Sequence, residues 1–401
     1  MINKKASHAL LYLLGELVAK GVPFALLPYL TRKLGTDGFG ELSYYLSIVV
    51  VVMIFLSLSQ EAATLSYYYR KGKNGLKYLI LAGFFINLIM SLVVFIIVAN
   101  ITSNALIIVT LASVSVIYSF YLAVLQAQKK VKQYICVQIL CASLVASFTF
   151  IFLEYSISDF VSKRLESLVI AYAIVSIPFF VFFIKKLKFF KIKKIKIYII
   201  YILTYGLPLI LHQSSFFVKG QLDRLFISEQ YSKAELGIYS AGVQVAAVLP
   251  IALMALNKAI VPYYYQSLKD QKLSIQNIKK YTLFCLPLCI IPALIGYILP
   301  ESVYVWFLGG NYAASKYYTV MYLLGYGANL PYLILVNYFF YHGKNMLISK
   351  MTLISSIVYI LFLYFFSSHS IELIPYALIF SNLILILILI FNLKVEKGFE
   401  R

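Results

Sequence analysis

Acidic side chains are scarce in this sequence. Fifteen Asp and Glu stand against 35 Lys and Arg over 401 residues, a formal charge of +20. Cysteine is scarcer still, with four, and tryptophan occurs once. Cys136, Cys141, Cys285 and Cys289 lie in apolar segments and form no CxxC or Cys/His grouping. That placement speaks against a disulfide framework or a metal site and reads as small buried hydrophobes. No GxxxxGK[ST] phosphate loop occurs, which argues against ATP hydrolysis. No DxD-like pair occurs either, and no stretch is long and polar enough for a soluble domain. An enzyme that acts on lipid-linked sugars needs a sizeable loop or domain for its catalytic groups, and this chain has none to offer.

What is abundant is apolar sequence. Hydrophobic residues make up 62% of the chain, and mean hydropathy is +0.87. A soluble protein rarely exceeds roughly half apolar residues. A chain facing lipid has no such limit. About 20 helical residues cross about 30 Å of hydrocarbon, so this length accommodates about a dozen spans with short loops. In a soluble chain, +20 would suggest nucleic-acid binding. Here it reads as charge that orients the chain in a bilayer, and nucleic acid is not an expected partner.

The hydropathy pattern predicts spans at 8–30, 42–63, 78–99, 105–127, 134–154 and 167–184, then at 198–219, 237–257, 281–299, 317–341, 347–367 and 373–393. The first contains Glu16, Lys20 and two prolines and lacks an Ala-x-Ala-like cleavage site. It is expected to be a retained span and not a signal peptide. The fold class expected is an all-α polytopic membrane protein of about 12 transmembrane helices. Its domains would be an N-terminal bundle (1–184), a basic linker (185–197) with seven lysines, and a C-terminal bundle with a short tail (198–401).

Charge supports that count. Lys and Arg are retained on the cytoplasmic side during insertion. With the N-terminus inside, 26 of the 35 basic residues fall in inner segments. Eight fall outside: Arg32, Lys33, Lys163, Arg164, Lys219, Arg224, Lys233 and Lys316. Lys20 lies within a span. Both termini are therefore expected in the cytoplasm. The outer loops are short, the longest being 220–236. The 198–228 region is apolar for longer than one span needs, so its helix is expected to tilt or run on. The 301–316 stretch, with Trp306, Gly309 and Gly310, reads as an interfacial turn. Tyrosines crowding the segment ends, such as Tyr67 to Tyr69 and Tyr263 to Tyr265, read as an aromatic belt at the lipid boundary.

The two halves share a faint pattern. Arg32-Lys33-Leu34-Gly35, then Phe39-Gly40-Glu41-Leu42-Ser43, joins the first two spans. Asp223-Arg224-Leu225, then Leu236-Gly237-Ile238-Tyr239-Ser240, joins the seventh and eighth. Two parallel six-helix repeats would place a substrate path at their interface. With Gly206-Leu207-Pro208, Ala259-Ile260-Val261-Pro262 and Gly310-Asn311-Tyr312, the sequence resembles the polysaccharide transporter family over nearly its whole length. That family belongs to the multidrug/oligosaccharidyl-lipid/polysaccharide (MOP) exporter superfamily and contains the O-antigen and capsule repeat-unit flippases.

The resemblance implies a V-shaped pair of six-helix bundles like that of the MATE (multidrug and toxic compound extrusion) transporters. It implies transport, by alternating access, of an undecaprenyl-pyrophosphate-linked glycan from the cytoplasmic to the outer leaflet of a bacterial inner membrane. It implies the lipid bilayer, a polysaccharide polymerase and a chain-length regulator as partners, and no cofactor. Competing readings are a multidrug exporter of the same superfamily and, from another class, a membrane polymerase or ligase. The shortage of intramembrane acids argues against a cationic cargo, and the short outer loops argue against the enzyme.

A pyrophosphate head needs a polar, preferably cationic path. Ionisable groups at membrane depth cost at least about 2.5–3.5 kcal/mol, so each needs a cavity or a partner. Glu16 and Lys20 are at i, i+4 and are equally consistent with a self-neutralising pair and with a cavity lining. Lys219, Asp223 and Arg224 cluster at the end of the seventh span, as a charged gate or as an ion pair seating the helix end. Arg224 and Arg32 suit phosphate, because a guanidinium grips two oxygens at once. Glu16, Glu61 and His212 are the candidate carriers of a coupling ion or proton. His212 is the weakest of these, since a lone His in an apolar helix is more often a hydrogen-bonded core residue.

Overall fold

A computed structural model describes residues 20–185 and 192–393, with the side chains of 182–185, 192–193 and 211–212 outside that description. Every regular element among the described residues is helical. After a helical stretch over 20–25 come α1 (Leu27–Ser57), α2 (Gln60–Lys71), α3 (Leu76–Ala99), α4 (Ala105–Ala127), α5 (Val131–Glu154) and α6 (Phe160–Lys185). Then follow α7 (Ile192–Gln230), α8 (Lys233–Ala246), α9 (Val248–Lys269), α10 (Ile275–Leu288), α11 (Ile291–Ile298) and α12 (Glu301–Leu308). The chain ends with α13 (Ser315–Gly327), α14 (Asn329–Tyr341), α15 (Asn345–Ser367) and α16 (Ile374–Phe391).

Among the described residues ten segments are long and apolar enough to cross a membrane. The bent pair Lys194–Ile210 and Gln213–Gln230 makes an eleventh if taken as one span. These coincide with the second to twelfth expected spans. The first, 8–30, lies mostly outside the described residues. The protein is thus an all-α, multi-pass membrane protein. Its lipid-facing surface is visible on α3, where Leu88, Ile89, Leu92, Ile96 and Ile97 are all exposed. Exposed aliphatic side chains at helical spacing on a buried-core bundle suit hydrocarbon and not water.

Several expected loops are helical instead. The 31–41 connection is a single break at Gly35 (φ 66°, ψ −177°) inside α1. Only glycine takes that conformation at little cost. The 220–236 loop shrinks to two residues, because α7 runs to Gln230 and α8 starts at Lys233. Ser232 caps α8 through a reciprocal box with Glu235. Lys163 and Arg164 lie within α6. Hydropathy marks only the part of a helix in hydrocarbon, so it misses the more polar turns at the ends of α1, α6 and α7. The 301–316 stretch is short helix α12 followed by a 3-10 turn, Gly310–Tyr312, with Trp306 exposed.

The chain divides into two compact units. One holds the described residues to Leu34 together with Glu41–Phe217, and the other holds Gly35–Gly40 together with the chain from Val218 on. The core of the first gathers Leu79 and Ile80 of α3, Phe120 of α4, Phe179 of α6, and Ile195 and Ile202 of α7. Tyr67 of α2 donates to the Asn74 carbonyl at 2.6 Å and meets the Tyr198 hydroxyl at 3.2 Å. Glu154, ending α5, accepts from Tyr29 at 2.6 Å and pairs with Lys33 at 3.0 Å.

In the second unit, Leu335 and Phe339 of α14 pack with Ile348 of α15 and Leu389 of α16. There the Gly35–Gly40 segment lies against α8. A Cβ on Gly40 would stand 1.9 Å from the Lys233 carbonyl oxygen, and one on Gly237 would stand 2.0 Å from that of Thr36. Each glycine thus meets the residue four before the other, a reciprocal crossing of the two motifs that the sequence pairs. Tyr312 donates to the Gly35 carbonyl at 2.8 Å, and its ring meets Phe39 edge-on. Burial, and to a lesser extent the Asp37 charge, raises the pKa of the Tyr312 hydroxyl and keeps it a donor.

Candidate functional site

The second unit contains a buried polar network spread over five helices. Asp223 of α7 is 1% exposed. Its Oδ2 accepts from the Tyr239 hydroxyl of α8 at 2.5 Å and from the Tyr322 hydroxyl of α13 at 2.6 Å. The two tyrosine hydroxyls also contact each other. Its Oδ1 accepts the backbone N–H of Arg224 at 2.9 Å and lies 3.8 Å from the guanidinium. Hydrogen bonds to an ionised acceptor are about twice as strong as neutral ones, and this carboxylate has three plus a cation.

Arg224 turns its NH1 back onto its own helix. It donates to the Gly220 carbonyl at 2.7 Å and to Gln221 Oε1 at 2.6 Å. Tyr326 of α13 and fully buried Tyr359 of α15 stand near this pair. One turn earlier, Lys219 Nζ donates to Ser355 Oγ of α15 at 2.6 Å and to Asn382 Oδ1 of α16 at 2.9 Å. Ser355 passes its own proton to the Ser381 carbonyl at 2.6 Å. The Asn382 amide donates to the Gly325 carbonyl of α13 at 3.1 Å. Charged groups inside a lipid-spanning bundle are expensive, and by default they mark a functional site.

The first unit has a second buried cation. Arg164 of α6 is 5% exposed and contacts Thr149 Oγ1 of α5 and, at 3.4 Å, Ser167 Oγ. Its Nε has no partner. Tyr172 lies close by, its ring 5.2 Å from that of Tyr118. In the same unit, Asn87 of α3 and Ser113 of α4 share a 2.6 Å hydrogen bond beside a largely apolar cavity of about 230 Å³ lined also by Phe84, Ile117 and Phe180.

Of the residues singled out from sequence, the structure brings together Lys219, Asp223 and Arg224. It places them within a continuous helix and not at a loop-bordered end. Arg32 is exposed on α1 and Lys20 is exposed. Glu61 of α2 is partly buried and bonded to Ser119 of α4. Glu16 and the His212 side chain lie outside what is described. Sequence reasoning missed Tyr239, Tyr322, Tyr326, Tyr359, Ser355, Asn382 and the burial of Arg164. The only signal was Tyr239 within the Leu236–Ser240 motif, because the remaining tyrosines read equally well as lipid-boundary residues. Among the described residues no three His, Cys, Asp or Glu side chains gather to hold a metal.

This helical architecture and its polar cores can be set beside known proteins. The family described as "Polysaccharide biosynthesis protein" matches residues 6–268. The chain belongs to this family. It is 42% identical over 400 residues to "Lsg locus putative protein 1" of Haemophilus influenzae, covering 98% of this chain and 99% of that one. It is 36% identical over 353 residues to an "Uncharacterized membrane protein" of the same organism, covering 87% of each.

Its fold matches an inward-facing multidrug-resistance MATE transporter of the MOP superfamily with a TM-score of 0.65, at 13% identity, over 93% of this chain and 92% of that one. A MOP transporter from Pyrococcus furiosus, described as having a binding pocket of reverse polarity, matches with a TM-score of 0.61 at 12% identity, over 96% and 94%. The protein thus belongs to the polysaccharide biosynthesis protein family and has a MATE-like fold.

Proposed function

We propose that this protein flips undecaprenyl-pyrophosphate-linked oligosaccharide repeat units, of O-antigen or capsule type, from the cytoplasmic to the outer leaflet of a bacterial inner membrane. The single observation that carries the reading is the family match over residues 6–268 on an all-helical membrane chain. The fold alone does not choose a cargo. Family membership favours a glycan over a drug.

In this reading residues 1–184 and 198–401 are the two repeats and 185–197 is the basic cytoplasmic linker. Both termini face the cytoplasm. The lipid tail stays in the bilayer, so only the sugar and pyrophosphate need solvating. Exposed Arg32 is the phosphate contact. A polymerase and a chain-length regulator act on the delivered unit. The absence of a phosphate loop leaves an ion or proton gradient as the driving force, with Glu16, Glu61 and His212 as candidate carriers.

Deletion of the gene tests this directly. Lipid-linked repeat units should accumulate on the cytoplasmic face. Their continued arrival in the outer leaflet, in a strain without a second flippase, would sink the proposal.

A further inference from the structure

The surroundings of Lys219 are unusual for a membrane-depth cation. Its two acceptors, Ser355 Oγ and Asn382 Oδ1, are both neutral. Among the described residues it forms no ion pair with a carboxylate. Asp223, one turn along the same helix, is already committed to Arg224, Tyr239 and Tyr322. An unpaired ionised side chain in a spanning bundle is costly.

The acceptors are fixed in that role by further bonds. Ser355 spends its hydroxyl proton on the Ser381 carbonyl, so its oxygen lone pairs are left for Lys219. Asn382 spends its amide on the Gly325 carbonyl, so its oxygen faces the amine. The site therefore offers two acceptors and no anion. A neutral amine has two N–H groups and an ammonium has three. Deprotonated Lys219 keeps both hydrogen bonds. The third proton has neither an acceptor nor a counter-charge among these partners, and it can leave without disturbing the helices. Lys219 is also only partly buried.

The other charged and titratable groups around it differ in kind. Arg224, on the same helix, holds its proton permanently and is paired with Asp223. Tyr239 of α8, Tyr322 and Tyr326 of α13 and Tyr359 of α15 surround that pair. From α16, Lys219 meets only the neutral Asn382. Arg224 thus has a carboxylate beside it, whereas the hydrogen-bond partners of Lys219 are both neutral.

We propose that Lys219 carries the proton that drives this transporter. Facing the outer solution, the Nζ lone pair takes a proton from hydronium. Facing the cytoplasm, that N–H bond breaks and the proton returns to water. One proton moves inward per cycle, and Ser355 and Asn382 hold the amine in both states. This rests on the transport reading above, and it replaces Glu16, Glu61 and His212 as the first carrier to test.

The test needs no glycan. The full-length protein is reconstituted in proteoliposomes on a capacitive sensor, and a pH jump is applied without substrate. Wild-type protein should give a transient charge displacement. Lys219→Met should reduce it at least tenfold. Lys219→Arg should do the same, since a guanidinium keeps its proton. Should the methionine variant not fold, Ser355→Ala and Asn382→Ala each remove one acceptor and should move the proton concentration at half-maximal displacement at least threefold. Wild-type displacement in Lys219→Arg, or none in the wild-type protein, would overturn the proposal. Because the pH jump uses no glycan, its result is independent of the deletion experiment, and either reading can fail alone.

Discussion

Two buried charges in this protein ask opposite things of their neighbours. Asp223 is held by two tyrosine hydroxyls, a backbone N–H and Arg224. Removing one member of such a set leaves the others buried and unmatched, which typically costs about 3–5 kcal/mol. Asp223→Ala should therefore lower stability by about that amount in detergent unfolding, whereas Tyr239→Phe, which deletes one hydrogen bond to a charge, should cost about 1.5–3 kcal/mol. Among the described residues Arg164 has hydroxyl partners only, and its Nε has none. Thr149 and Ser167 keep their own bonds to the Val145 and Arg164 carbonyls if the guanidinium goes. Arg164→Met should thus leave the melting temperature unchanged or raise it. A large drop would mean that the buried guanidinium is compensated by a charge that the geometry does not reveal.

Helix α1 crosses α8 through glycine. No Cβ fits at Gly40 or Gly237, because each would strike a carbonyl oxygen at about half the normal separation. Overpacking of this kind costs about 1–3 kcal/mol, so Gly40→Leu and Gly237→Leu should each destabilise the protein by at least that much. Gly35→Ala meets no atom within 4 Å, yet it must hold φ 66°, which costs about 1–2 kcal/mol. Gly310→Ala, with open space and no positive φ, is the control and should stay within about 0.5 kcal/mol. A four-variant thermal series ranks them. The two glycine motifs were legible in the sequence as a repeated phrase. That they touch was not, because a shared pattern carries no distance. The spans were legible because lipid demands long apolar runs. The run-on of α7 was legible too, in the apolar stretch over 198–228, but the length of α1 was not, because a helix continues into water with polar residues such as Arg32. Nor was the tyrosine network, because a membrane helix is apolar on every side. Periodicity then does not say whether Tyr322 or Tyr359 turns inward or faces a headgroup.

At the scale of the whole molecule, the proposed orientation rests on the distribution of charge, and the proposed direction of flipping rests on that orientation. Lys129 and Lys130 lie in the turn between α4 and α5, and Arg70, Lys71 and Lys73 lie at the turn between α2 and α3. The turn between α5 and α6, residues 155–159, carries no basic residue. Each Lys or Arg near an anionic cytoplasmic leaflet contributes about 1 kcal/mol, so in the proposed orientation these basic gaps together oppose inversion. All eight basic residues that the sequence count assigns to the outer side, Arg32, Lys33, Lys163, Arg164, Lys219, Arg224, Lys233 and Lys316, lie on helices, and Arg164 and Arg224 are buried. Ile157 is 98% exposed in the 155–159 turn, and Lys272, its side chain 76% exposed, sits between α9 and α10. In a protein with its four cysteines replaced by serine, Ile157→Cys should react in intact cells with a membrane-impermeant maleimide. Lys129→Cys and Lys272→Cys should react only after permeabilisation. The reverse labelling would invert the chain, place both termini outside, and make outward flipping of a cytoplasmic lipid-linked glycan incompatible with the orientation proposed here.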